Sequence, residues 1–171
     1  MNETIKTMVT RGSCKQYKPE KAKKEDLDLV LQAGLKAPSG MNLQTPRFVV
    51  IQNDDVIAKI KKLNAAVMGA DMDPFYGAPT VIAVLVKKEC TYAYDGSIAL
   101  ANMLNAAHSL GMGARWIHRC KEVFESEEGK AFLKEWGVED DVEGVGFMII
   151  GYPDCEIVAQ EVKPGRVFYV D

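Results

Sequence analysis

Apolar residues fall at spacings of three and four near the start of the chain (Ile5, Met8, Val9). The spacing predicts a short helix that Asn2 caps and that ends near Arg11-Gly12. The same period returns over residues 23–35, where Leu27, Val30, Leu31 and Gly34 share one face of a second amphipathic helix. The pattern then breaks at residues 35–48, LKAPSGMNLQTPRF. Pro38 and Pro46, with the small Ala37, Ser39 and Gly40, stop the helix, while Ser39, Asn42 and Gln44 offer uncharged donors and acceptors. Such a loop suits a flat, neutral, hydrogen-bonding ligand better than a metal or a nucleophile.

Residues 47–52 (RFVVIQ) read as a strand, and Asp54 as the cap of a helix carrying Ile57, Ile60, Leu63 and Val67. A turn-rich segment, 69–79, follows, with Phe75 assigned to the core. Residues 80–86 (TVIAVLV) have almost no polar position on either face, as a central strand covered on both sides requires. From Asp95, the run DGSIALANMLNAAHSLG is apolar or small round most of its circumference; only Asn102, Asn105 and Ser109 form a narrow polar stripe. Burying that helix in so short a chain needs a sheet on one side and another helix layer or another subunit on the other, so an oligomer is expected. Gly111-Met112-Gly113 ends it. Ala114, Arg115 and Trp116 then read as a loop before a helix starting near Lys121, and residues 145–152 (VGFMIIGY) as a third doubly covered strand. The terminal VFYV is strand-like and is expected to pair with a sheet edge, its own or a partner's.

Composition narrows the class. The 171 residues, 47% hydrophobic and 26% charged, fit one domain over 1–171. A net charge of -3 argues against nucleic acid or an anionic membrane as a bulk partner. The N-terminus has no apolar signal core and the longest aliphatic run is strand-sized, which points to a cytoplasmic protein. Cys14, Cys90, Cys120 and Cys155 lie far apart without a CxxC, and there are only two histidines, so no metal site is expected and reduced thiols are the default. GxGxxG after a strand, the P-loop pattern and GxSxG are all absent.

Basic residues matter only where they cluster. In TRGSCKQYKPE, Arg11, Ser13 and Lys15 alternate, so an extended backbone would point all three to one side, either as a phosphate grip or as a solvated loop. Lys163 and Arg166, beside Pro164-Gly165, are a second basic element. Cys14 between Arg11 and Lys15 allows a competing reading, a thiol of lowered pKa.

With these pieces in order, the sequence resembles the nitroreductase family of flavin mononucleotide (FMN) enzymes over nearly its whole length. The resemblance is carried by TRGSCKQYKPE, APSGMNLQTPRFVV, DGSIALANMLNAAHSLGMGARWI, GFMIIGYP and KPGR. It implies an α+β fold with a mainly antiparallel central sheet flanked by helices, in a homodimer with exchanged C-terminal segments. It implies FMN contacts from Arg11, Gly12, Ser13 and Lys15, with Lys163 and Arg166 closing the phosphate site. Pro38, Ser39, Gly40 and Asn42 would come from the other subunit, and the backbone around Ala114, Arg115 and Trp116 would lie near the ring's reactive edge. The implied activity moves electrons from NADH or NADPH to a nitroaromatic, quinone or similar small aromatic acceptor, the flavin rather than a side chain being the catalytic group. Other readings are an FMN carrier or sensor without turnover, or a specialised flavin reaction such as dehalogenation or flavin fragmentation. Two departures stand out: Thr45-Pro46 where many members have Pro-Trp, and Gly12 where many have a second basic residue.

Overall fold

The computed structural model describes residues 1–69 and 71–170; Ala70, in the turn-rich segment 69–79, and Asp171, at the end of the expected domain, lie outside the described residues. Helix α1 (Glu3–Thr10) begins where the Asn2 side chain accepts from the Ile5 amide at 2.9 Å. Helix α2 (Lys24–Leu35) leads through a 3-10 turn, Gly40–Asn42, into strand β1 (Pro46–Ile51). Helix α3 (Asp54–Met68) is capped by Asn53, not by Asp54: the Asn53 side chain accepts from Val56 N at 3.0 Å, and Asp54 already belongs to the helix. An Asp there still opposes the positive end of the helix dipole.

Strand β2 (Thr80–Lys87), helix α4 (Tyr92–Ser109), strand β3 (Gly113–Ile117), helices α5 (Cys120–Glu125) and α6 (Glu127–Glu135), and strand β4 (Val142–Gly151) complete the order. The sheet runs β1-β2-β4-β3, every pair antiparallel. Successive strand residues point to opposite faces, so β2 divides its side chains. Val81, Ala83 and Leu85 join Phe75, Phe147 and Ile149 on the face that also holds Ile57 and Ile60 of α3 and Val123 and Phe124 of α5. Ile82 and Val84 join Met148 and Ile150 on the face that holds Leu27 and Val30 of α2 and Leu100 and Met103 of α4. Both sides are dry, which is why neither β2 nor β4 shows a polar alternation.

One expectation is corrected and another is narrowed. Ala114, Arg115 and Trp116 form an edge strand rather than a loop, registered Ala114 to Ile150, Arg115 to Ile149 and Trp116 to Met148. Five residues with an Arg and a Trp carry no strand periodicity; what fixes them is the open edge of β4 and Gly146, where a Cβ would run into the Trp116 indole. Of the two edges expected for the C-terminal VFYV, this chain's own or a partner's, its own is not used among the described residues. Beyond the single bridge of Tyr17 with Pro153 the tail has no strand, and Val167, Phe168, Tyr169 and Val170 are exposed. β4 is an interior strand with both edges occupied, so the chain leaving it finds no free edge beside it.

Helix α4 is buried on only part of its circumference. Gly96, Ala99, Leu100, Met103 and Ala107 face the sheet and α2, with Gly34 letting α2 close on Met103, while Tyr94 and Ile98 are exposed. Ile5, Met8 and Val9 of α1 are exposed as well. Among the described residues no helix is long and apolar enough to cross a membrane, and no group of metal-ligating side chains is assembled.

Candidate functional site

The alternating Arg11, Ser13 and Lys15 line one cleft of about 540 Å³ together with Gly12, Gln16, Cys155, Glu156, Val158 and Gln160. The segment is held extended: Cys14 N donates to Ala114 O at 3.1 Å, Asp154 N to Gln16 O at 3.0 Å and Lys18 N to Tyr152 O at 2.9 Å. Among the described residues neither Arg11 nor Lys15 is engaged in an ion pair, so both cations are available to an anion in the cleft. Gly12 is buried against the other wall, and a Cβ there would strike the Val158 carbonyl oxygen. A basic side chain at position 12 would have to displace residues 157–158.

Cys14 is not the exposed, activated thiol of the competing reading. It is fully buried, its Sγ lies against Gln16 O at 3.1 Å, and burial pushes the thiol above its ordinary value. His108 borders this region, its Nε2 3.0 Å from Thr10 Oγ1; burial and then the Arg11 charge lower its pKa.

The loop after α2 is built differently. Met41, Asn42 and Gln44 all have positive φ, a left-handed conformation that costs a non-glycine residue about 1–2 kcal/mol. Asp95 compensates. Its carboxylate is 3% exposed and accepts from Gly40 N at 3.0 Å, Thr45 Oγ1 at 2.9 Å and Thr91 Oγ1 at 3.1 Å. Ser39 Oγ accepts from Gln44 N at 2.9 Å, and Arg47 folds back so that one guanidinium nitrogen donates to Gln44 O at 3.0 Å. Arg47 Nε also donates to Asp140 at 2.8 Å. The loop is therefore a preset wall, held against α4 and β1.

On β3, the Arg115 guanidinium stacks 4.5 Å above the Tyr76 ring, and Arg115 Nη1 and Trp116 Nε1 are buried without a hydrogen-bond partner. A third surface, lined by Met68, Tyr76, Arg115, Trp116 and His118 among others, adjoins them.

Within one chain the predicted residues thus occupy separate surfaces. Arg11, Gly12, Ser13 and Lys15 are brought together in the cleft. Pro38, Ser39, Gly40 and Asn42 lie outside its lining, on the loop beside α4; Ala114, Arg115 and Trp116 lie on β3. Lys163 and Arg166 are exposed in the tail, also outside the lining. The sequence reading missed Asp95, which looks like one residue of a helical run, and the wall from Cys155 to Gln160, which has no motif. A signal for Asp95 was the presence of Thr91 and Asp95 one helical turn apart, a spacing that puts two polar side chains on one face.

The fold and cleft define an α+β protein with an antiparallel sheet and a groove that carries two cations without ion-pair partners among the described residues. The family model described as "Nitroreductase family" matches residues 8–71. A protein of Archaeoglobus fulgidus, provisionally named NADH dehydrogenase/NAD(P)H nitroreductase, is 30% identical over 162 residues, which span 91% of this chain and 88% of that one. An FMN-bound nitroreductase from Bacteroides fragilis superimposes with a TM-score of 0.90 at 27% identity, over 100% of both chains. An FMN-bound nitroreductase from Desulfitobacterium hafniense does so at 0.90 and 25% identity, again over 100% of both. The chain belongs to the nitroreductase family.

Proposed function

We propose that this chain is an FMN-dependent oxidoreductase, one flavin-binding domain per 171-residue chain, that passes electrons from NADH or NADPH to a nitroaromatic, quinone or similar electron-poor acceptor. The observation that carries this reading is the cleft of Arg11, Ser13 and Lys15, two unpaired cations and a hydroxyl on one side of an extended backbone, in a nitroreductase fold. The donor set fits a flavin phosphate: charge-assisted bonds from guanidinium, ammonium and hydroxyl are the strong way to hold a dianion. When bound, FMN supplies the two-electron chemistry. Arg11 and Ser13 would hold the phosphate, and Lys15 would bring a positive charge toward the ring's pyrimidine end. The preset loop of Ser39, Gly40 and Asn42 offers neutral hydrogen-bonding partners to a flat ring.

The scattered positions of these residues in one chain support a homodimer. A second copy brings its 38–42 loop to the first copy's cleft, covers the exposed Tyr94, Ile98 and α1 residues, and receives the tail, so that Lys163 and Arg166 complete the phosphate site. The order of reaction is ping-pong: the reduced nicotinamide gives up its electrons and leaves before the acceptor enters the same place. No side chain acts as an obligatory acid or base.

The test is the visible spectrum of the purified protein after incubation with FMN, followed anaerobically as NADH or NADPH and then a nitroaromatic are added. Bleaching by the nicotinamide and recovery on adding the acceptor are expected. A protein that stays colourless after incubation with FMN overturns the reading; one that binds FMN but never bleaches is a carrier or sensor. Light scattering distinguishes the 18.9 kDa chain from a dimer.

A further inference from the structure

Cys14 and Cys155 are far apart in sequence but stand on neighbouring backbone segments that the fold holds in place. Tyr17 bridges to Pro153 in antiparallel sense, the Asp154 amide donates to Gln16 O, and the Cys14 amide is tied to β3 at Ala114 O. The two sulfurs are 3.9 Å apart, and both lie against the carbonyl of Gln16, at 3.1 and 3.9 Å. A disulfide needs about 2.0 Å between sulfurs, a closure that side-chain rotation and a small shift of two already adjacent segments can supply.

The environments of the two thiols are unequal. Cys14 is fully buried, with Gly113 leaving just enough room for it: a Cβ at 113 would come within 2.6 Å of the Cys14 sulfur. Cys155 is partly exposed at the lining of the cleft, and the backbone of Lys15 lowers its pKa, opposed by a smaller desolvation effect and helped by the backbone of Gln16. An accessible thiol beside a buried one is the arrangement of an attacking and a resolving cysteine. Cys120 is fully buried in the core with its sulfur on Val84 O, and Cys90 is exposed elsewhere, so the chain carries its own controls.

We propose that Cys14 and Cys155 form a reversible, peroxide-driven disulfide that staples the two walls of the cleft. The Cys155 thiolate attacks hydrogen peroxide; the S–O bond forms, the O–O bond breaks, and hydroxide leaves and takes up a proton, giving a sulfenic acid at Cys155 and one water. The Cys14 thiol loses its proton and attacks the Cys155 sulfur; the S–S bond forms, the S–O bond breaks, and a second water leaves. Two thiols are oxidised by two electrons and one peroxide is reduced to two waters. A dithiol reductant reverses the step by exchange. The staple joins residues 13–16 to 154–158, the two segments that line the cleft, and closes most of the chain into one loop.

The test uses the purified full chain, treated anaerobically with one equivalent of hydrogen peroxide and quenched with an alkylating agent. Expected are a fall from four to two titratable thiols, an intact mass lower by two hydrogens, a linked peptide pair containing Cys14 and Cys155, and full recovery with dithiothreitol. The oxidised form should melt about 5 °C or more above the reduced one. Cys155→Ser should abolish the thiol loss and Cys90→Ser should leave it unchanged; Cys14→Ser should leave a dimedone-reactive sulfenic acid at Cys155. Four thiols remaining, a covalent dimer through Cys90, or sulfinic acid at Cys155 with Cys14 still alkylatable would each overturn the proposal, and so would a disulfide without a rise in melting temperature. These readouts need no flavin, so they stand or fall apart from the proposed enzymatic activity.

Discussion

Replacing Asp95 should damage the protein more than its place as one polar residue of a helical run suggests. Its carboxylate is buried and accepts three hydrogen bonds, from the Gly40 amide and the hydroxyls of Thr45 and Thr91, and Thr45 is itself 1% exposed. A hydrogen bond to a charged group contributes about 1.5–3 kcal/mol, and a buried donor left without a partner costs about 1–3 kcal/mol. The three bonds share one carboxylate and are not additive, so Asp95→Ala is expected to lose about 3–5 kcal/mol in all. For a chain of this length that corresponds to a fall in melting temperature of about 6–20 °C. Asp95→Asn keeps an acceptor for the Gly40 amide but puts an NH2 where two hydroxyls donate; both must reverse, and a loss of about 1–2 kcal/mol is expected. Urea unfolding followed by circular dichroism measures both, and amide exchange at Gly40 reports the loop directly, with protection lost in the Ala variant. An Ala variant within about 1 kcal/mol of the parent, or a Gly40 amide equally protected in both, would refute the role of Asp95 as the anchor of the 38–44 loop.

Three further outcomes are expected. The Arg11→Ala, Arg166→Ala double change should weaken FMN binding at least about tenfold by fluorescence titration while leaving the far-UV spectrum unchanged, since each guanidinium would contribute a charge-assisted bond to the phosphate; unchanged affinity removes the phosphate assignment. Gly12→Ala should destabilise by about 1–3 kcal/mol in urea, because the new Cβ meets the Val158 carbonyl and the 157–158 wall must move. His108, whose pKa is lowered by burial and by Arg11, takes up its proton more readily when unfolded. It therefore has no effect on stability well above its ordinary value of about 6.5 and destabilises as pH falls through that value, until the folded form also protonates. His108→Gln should flatten the decline below about pH 6.5; an unchanged pH profile would exclude His108 as a contributor.

The sequence alone determined whatever depends on local pattern. Helical spacing placed α1 and α2, and the apolar runs placed β1, β2 and β4, because a strand covered on both faces has no polar alternation to hide it. The family resemblance placed the antiparallel α+β fold and pointed to Arg11, Ser13 and Lys15, whose alternation needs only an extended backbone to put three side chains on one wall. Only the tertiary structure decided the rest. β3 is a strand because the edge of β4 is open to it and Gly146 makes room for Trp116; nothing in GARWI says so locally. Asn53 rather than Asp54 caps α3, a one-residue choice between two competent caps that the path of the incoming chain settles. Asp95 became the anchor of the loop because Gly40 and Thr45, fifty and more residues before it, donate to its carboxylate beside the local Thr91. Cys14 and Cys155 became neighbours because the segments that carry them are paired backbone to backbone. For β3, the Asp95 anchor and the cysteine pair the deciding interaction joins segments far apart in the chain, and periodicity, which reads only near neighbours, has no access to it; the Asn53 cap is local, a choice between two adjacent competent residues.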